Sequence, residues 1–279
     1  MTPPRTDLAL ARRLERAEAA ANAAFVTARA ALEPASGAAW VDVDGAWAMF
    51  DGVGSPITQT FGFGLFAPAS AAALDALEAF LDARGAEVHH EVAPLADPAH
   101  LGLLAARGYH PVELTTVLCA EVGGVAAPGR PGAPAVRPVR DDERDAWAEL
   151  SAGGWGESPE VAEFVRGFAR VTARAAGATC FVAEIDGVPV GAAALAVHGR
   201  VALLAGASTL PAWRGRGAQG ALLAARLSHA AACGCDLAMM GALPGSTSQL
   251  NAERAGLRVA YTRTKWRRGA PPGVSASSS

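Results

Sequence analysis

Ser208-Thr209-Leu210-Pro211-Ala212-Trp213-Arg214-Gly215-Arg216-Gly217-Ala218-Gln219-Gly220-Ala221-Leu222-Leu223 leaves one kind of regular structure and enters another. The β-rich run Arg200–Ser208 precedes it, and a run of helical periodicity, Gln219–Ala232, follows. Pro211 stops the strand because it has no N–H to give a ladder. The glycines let successive main-chain amides converge without interference from Cβ atoms. The helix that begins here adds unpaired N–H groups and a partial positive charge. Such a junction is a nest for an anion, and Arg214 and Arg216 suit it to a diphosphate. It is not a Walker loop, because no Gly-Lys-Ser/Thr follows. The glycine spacing and the missing ribose-binding acid also separate it from the dinucleotide fingerprint.

Around this loop the second half reads as a regular series. Val136–Pro138 is a short strand, and Asp141–Ser151 and Ser158–Ala175 are helical, with Ser158-Pro159 as a cap and first-turn proline. Strands at Cys180–Ile185 and Pro189–Val197 flank the Asp186-Gly187 hairpin turn. After Gln219–Ala232 come a strand at Asp236–Met240, a helix at Ser246–Arg254 and a strand at Val259–Trp266. The first half opens with a helix over Asp7–Leu32, then strands at Trp40–Val43, Ala46–Phe50 and Thr58–Leu65. A helix at Ala71–Arg84 closed by Gly85, a strand at Glu87–Val92, a helix at Pro98–Arg107 and a strand at Val112–Ala120 complete it. Ala73-Leu74 through Gly85-Ala86-Glu87-Val88 aligns with Ala221-Leu222 through Gly234-Cys235-Asp236-Leu237, and Arg107-Gly108-Tyr109 with Ala255-Gly256-Leu257. The near-constant offset suggests an internal duplication. In the first copy Phe66–Ala72 takes the loop position, with neither glycine nor arginine.

The loop and its surroundings resemble the GNAT superfamily of acyl-CoA N-acyltransferases. Its diphosphate loop runs Arg or Gln, two free positions, Gly, one free position, then Gly or Ala. Arg214 and Gly217 fit, while Gln219 departs from the last position and Gly220-Ala221 follows it. Gly234-Cys235-Asp236-Leu237-Ala238 and Pro244-Gly245-Ser246-Thr247-Ser248-Gln249-Leu250-Asn251-Ala252-Glu253-Arg254-Ala255-Gly256-Leu257 are similar to one bacterial branch. The resemblance implies an α+β (mixed α/β) fold of two GNAT-like domains, each a mixed, mostly antiparallel sheet flanked by helices. A degenerate copy would occupy 1–122, a Gly/Pro linker 123–134, an acetyl-CoA-binding catalytic domain 135–268 and a disordered tail 269–279. It also implies acetyl-CoA as cosubstrate, held by Ser208, Thr209, Leu210, Arg214, Gly215, Arg216, Gly217, Ala218, Gln219, Gly220, Ala221 and Asn251. Main-chain groups of Ser208–Leu210 would pair with the pantetheine amides. A small-molecule amine would then attack the thioester directly.

Many members protonate the departing thiolate with a tyrosine, and Ala252 stands at that position here. Ser248 is the nearby hydroxyl left for the catalytic role. Glu184, Glu157 and His198 are possible bases, each also readable as an ordinary surface or turn residue. The missing tyrosine gives a second reading, an acyl-CoA sensor or structural tandem without turnover.

Composition narrows the partners. The 279 residues carry 24 Lys+Arg against 27 Asp+Glu, a balance without the basic excess of a nucleic-acid binder. Cys233-Gly-Cys235 is one residue short of a zinc-knuckle pair, so no metal site is expected, and the four cysteines read as free thiols. No apolar run is long enough to span a bilayer and no leader pattern opens the chain, so a cytoplasmic monomer or homodimer is expected.

Overall fold

A computed structural model describes residues 6–124 and 133–269. Most of the glycine- and proline-rich segment and of the C-terminal tail lies outside these residues. The chain begins with α1 (Leu8–Leu32), whose first turn is fixed by Asp7 accepting from the Leu10 amide at 2.9 Å. Strands β1 (Ala39–Val43), β2 (Ala46–Phe50) and β3 (Gln59–Phe61) follow, then α2 (Ala71–Asp82), β4 (His89–Val92), α3 (Ala99–Ala106) and β5 (Tyr109–Glu121). The second half contributes β6 (Ala135–Pro138), α4 (Arg144–Gly153), α5 (Pro159–Thr172), β7 (Ala178–Ile185), β8 (Val188–His198) and β9 (Val201–Thr209). It ends with α6 (Ala218–Ala232), β10 (Leu237–Ala242), α7 (Thr247–Arg254) and β11 (Arg258–Arg268).

Every expected element exists, with two local corrections. The expected strand Thr58–Leu65 shrinks to Gln59–Phe61, because Gly62 and Gly64 take positive φ and turn the chain. Ser158 precedes α5 at the cap position, with Pro159 behind it, but its hydroxyl makes no capping bond.

All eleven strands form one open sheet in the order β1-β2-β3-β4-β11-β5-β10-β9-β8-β7-β6. The last strand of each half is therefore exchanged: β11 lies beside β4, and β5 beside β10. From β1 to β7 the strand directions form a palindrome about the antiparallel β11·β5 pair, with the parallel pairs β3·β4 and β9·β10 placed symmetrically. Thr115 faces Arg263, 148 positions on, the same separation that relates Ala73 to Ala221 and Arg107 to Ala255, and the flanking pairs Thr116/Thr262 and Leu114/Thr264 are symmetric about it.

Strand alternation explains how one sheet serves two cores. Leu118, Ala202, Leu204 and Ala238 pack under α6 with Leu222 and Leu227. Their neighbours Val117, Leu203, Leu237 and Met239 point the other way and pack on Leu10 and Leu14 of α1. Among the described residues no helix is long and apolar enough to cross a membrane.

Candidate functional site

The parallel pair β9·β10 holds only over Val201–Leu203 and Leu237–Met239. Beyond it the strands diverge, and a cleft of about 1130 Å³ opens between Leu203–Ala207 on β9 and Met240–Ala242 on β10. Gln219, Gly220, Leu223 and Ala224 of α6 form one wall, and Ser248, Asn251 and Ala252 of α7 line it as well. A smaller cavity of about 380 Å³ adjoins it, lined by Ser208, Thr209, Trp213, Arg214, Gly215 and Gly217. Gln219 borders both. Of the residues expected at the site, Ser208, Thr209, Arg214, Gly215, Gly217, Ala218, Gln219, Gly220, Ser248 and Asn251 line one or other of these adjoining cavities, whereas Leu210, Arg216 and Ala221 line neither.

The loop joins β9 to α6 through a short 3-10 turn, Pro211–Trp213. Gly217 is the helix cap at φ 88°, a backbone that only glycine adopts at no cost. No side chain caps α6, so its first amides and their partial charge face the groove. The two arginines are less free than expected. Arg214 donates to Glu157 at 3.0 Å and to the Gly154 carbonyl at 2.9 Å, and Arg216 stacks over Trp213.

Several expected donors are committed to the protein. Ser208 Oγ donates to the Ser151 carbonyl at 3.0 Å, and Gln219 Nε2 donates to Thr209 Oγ1 at 2.8 Å. The Leu210 amide donates to the Val190 carbonyl at 2.9 Å, which removes it from the set that could bind pantetheine. Alternation along β9 leaves Ala207 and Thr209 with main-chain groups on the edge away from β8.

Between Ala192 and Ala194, β8 faces Ser208 and Ala205 of β9, so β9 carries one extra residue there. Gly206, at φ 51°, supports this bulge. A glycine inside an apolar strand was the available signal for it.

On α7, Ser246 is the cap, accepting from the Gln249 amide at 3.3 Å. Ser248 lies one residue into the helix and faces the cleft. Ala252 is buried, with no acidic group at the tyrosine position. Of the possible bases, Glu184 is bound to Arg137 at 2.9 Å and Glu157 to Arg214, while His198 lines neither cavity.

The first half supplies what the sequence did not disclose. Glu18, Asn22, Gln59, Glu91, Glu113 and Thr115 line the far end of the cleft. There Arg263 donates to Glu91 at 2.9 Å and to both oxygens of Glu18 at 2.6 and 2.7 Å. Lys265 pairs with Glu91 at 3.3 Å and Glu113 at 3.2 Å. Behind them Glu15 is fully buried, accepts from Tyr261 at 2.8 Å, and has its carboxyl pushed up to about 7 by burial.

Residues 130–246 match the family model of the acetyltransferase (GNAT) domain. The fold is shared with a GCN5-related N-acetyltransferase from Kribbella flavida, at TM-score 0.63 and 21% identity over 89% of this chain and 96% of that one. A GCN5-related N-acetyltransferase from Sphaerobacter thermophilus gives TM-score 0.55 and 18% identity, covering 100% and 98% of the two chains. A tandem GNAT protein from the clavulanic acid biosynthesis pathway gives 0.56 and 16%, covering 81% and 79%. No curated protein matches by sequence. Residues 130–246, which carry the uncapped strand-to-helix junction and the splayed parallel pair, therefore match a GNAT acetyltransferase domain, and the chain as a whole shares the fold of GCN5-related N-acetyltransferases.

Proposed function

We propose that the protein transfers an acetyl group from acetyl-CoA to the amine of a small molecule by direct attack. The observation that carries this reading is the divergence of β9 and β10 beside the uncapped start of α6. The amides of Ala218–Gly220 would grip the diphosphate, aided by Arg216 and by the space that Gly215 and Gly217 leave. The β9 edge at Ala207 and Thr209 would pair with the pantetheine arm, and Asn251 and Ser248 would border it from α7. Residues 135–268 are then the catalytic copy and residues 1–122 a degenerate one, whose Glu18, Glu91 and Glu113 wall the acceptor end. Arg263 and Lys265 already answer these carboxylates, so the wall is polar rather than open acid, and an amine that reaches it must lose a proton before it attacks. No part of this reading calls for nucleic acid, a membrane or a metal, and it fits a cytoplasmic monomer or homodimer.

The second reading, an acyl-CoA sensor without turnover, is favoured by Ala252 at the tyrosine position. Incubation with acetyl-CoA and a panel of amines separates the two. The enzyme reading expects free CoA and an N-acetyl product with at least one amine, above the amine-free blank. Saturable acetyl-CoA binding with no release under any amine supports the sensor, and absence of binding contradicts both.

A further inference from the structure

Arg226 of α6 is only 5% exposed, yet no carboxylate among the described residues lies within ion-pair distance. By contrast, the buried Arg263 is surrounded by Glu15, Glu18 and Glu91. Burying a guanidinium without an anion is costly unless something answers its charge. Main-chain carbonyls answer part of it. Nε donates to Leu222 at 3.2 Å, and Nη1 donates to Ala194 at 3.1 Å and to Ala205 at 3.3 Å. The last two carbonyls flank the β9 bulge, where an extra residue breaks the ladder. Nη2 has no partner among the described residues, and Arg226 forms part of the cleft wall. Burial lowers its pKa to about 10, so it remains a cation at neutral pH.

Its position says which anion it could meet. Arg226 lies eight residues beyond the first residue of α6, about 12 Å along the helix at 1.5 Å per residue. A diphosphate on the first amides is out of its reach. A chain running from that diphosphate along β9 brings its reacting end to the bulge, where Arg226 is.

We propose that Arg226 is a catalytic cation that stabilises the departing CoA thiolate, doing by charge what an acid at position 252 would do by proton transfer. This rests on the acetyl-CoA reading above. The amine lone pair forms the C–N bond to the thioester carbon. The C–S bond then breaks with its electron pair kept on sulfur, and the surplus proton on nitrogen passes to water. The thiolate stays beside the guanidinium until it leaves, so no protein acid is consumed.

Ionisation of the bound CoA thiol is the test, followed by thiolate ultraviolet absorbance during a pH titration of the full chain, with desulfo-CoA as the blank. Wild-type protein is expected to lower the thiol pKa by at least about one unit relative to CoA in solution. Arg226→Gln should return it to the solution value, Arg226→Lys should keep part of the shift, and desulfo-CoA should bind all three proteins alike. The wild-type titration decides even if a variant does not fold. If CoA and desulfo-CoA both bind and the thiol ionises as in solution, Arg226 only pins the bulge and the inference fails while the acetyl-CoA reading stands. If neither ligand binds, both fail.

Discussion

Two strand-to-helix junctions of one sheet meet the same physical demand in opposite ways. At the first, between β3 and α2, Ser70 caps the helix by accepting from the Ala73 amide at 3.1 Å. Asp97 accepts from the Ala69 amide at 3.1 Å just ahead of it, so the chain's own carboxylate sits where an anion would bind. β3 is also tied to β4 by a 2.7 Å bond between Thr60 and His90, with Phe61 and Phe63 buried around it. At the second junction the cap is a glycine, no side chain answers the α6 amides, and β9 parts from β10. Fold symmetry therefore does not make a ligand site. On the reading proposed above, withholding the cap and opening the parallel pair does.

The widest contrast is expected at position 217. Gly217→Val forces a branched side chain into φ 88° at the head of the nest. CoA affinity should fall about 100-fold, roughly 2.7 kcal/mol, as read by calorimetry. At the self-capped junction the reciprocal change, Ser70→Ala, should leave CoA affinity unchanged and cost about 1 kcal/mol of stability in urea unfolding. If Ser70→Ala weakens CoA binding as much as Gly217→Val does, the two junctions are not functionally different.

Between these in size lies a test of the seam where the halves meet. Glu15 of α1 is bonded to Tyr261 of β11, and its pKa rises from 4.5 to about 7 through burial, with Arg263 opposing the rise. The folded state thus keeps a proton that the unfolded state has lost between those values. Stability should fall as pH rises through that window, and the full penalty should be present above pH 7. Glu15→Gln removes this titration, so its stability profile from pH 5 to 8 should be flatter by on the order of 2 kcal/mol. Parallel profiles for the two proteins would show that Glu15 is ionised throughout and that the seam is held by charge.

How much of this could be read from the chain depends on the range of the forces involved. Elements were legible because their signals are local: helical periodicity after Asp7, Asp186-Gly187 as a turn, Gly85 after α2. The glycine loop opening into an uncapped helix was legible for the same reason, since loop and helix start are contiguous. Exchange of β5 and β11 was not, because strand order is settled by pairing between residues more than a hundred positions apart. Nothing local marks Glu18 and Asn22, because only the packing of α1 brings them to the cleft. Nothing in the sequence distinguishes Arg226 within its alanine-rich helix, and only its burial against two bulge carbonyls sets it apart. Leu210 shows the converse: the resemblance placed it at the site, but its amide is already taken by Val190.

The contrast between the junctions is tested most directly by the stoichiometry of CoA binding to the full chain, measured by titration calorimetry. One CoA per chain, bound about 100-fold more weakly in Gly217→Val, is the predicted result. Two per chain would show that the capped junction also binds, and none would show that an uncapped helix beside a parted strand pair is not enough.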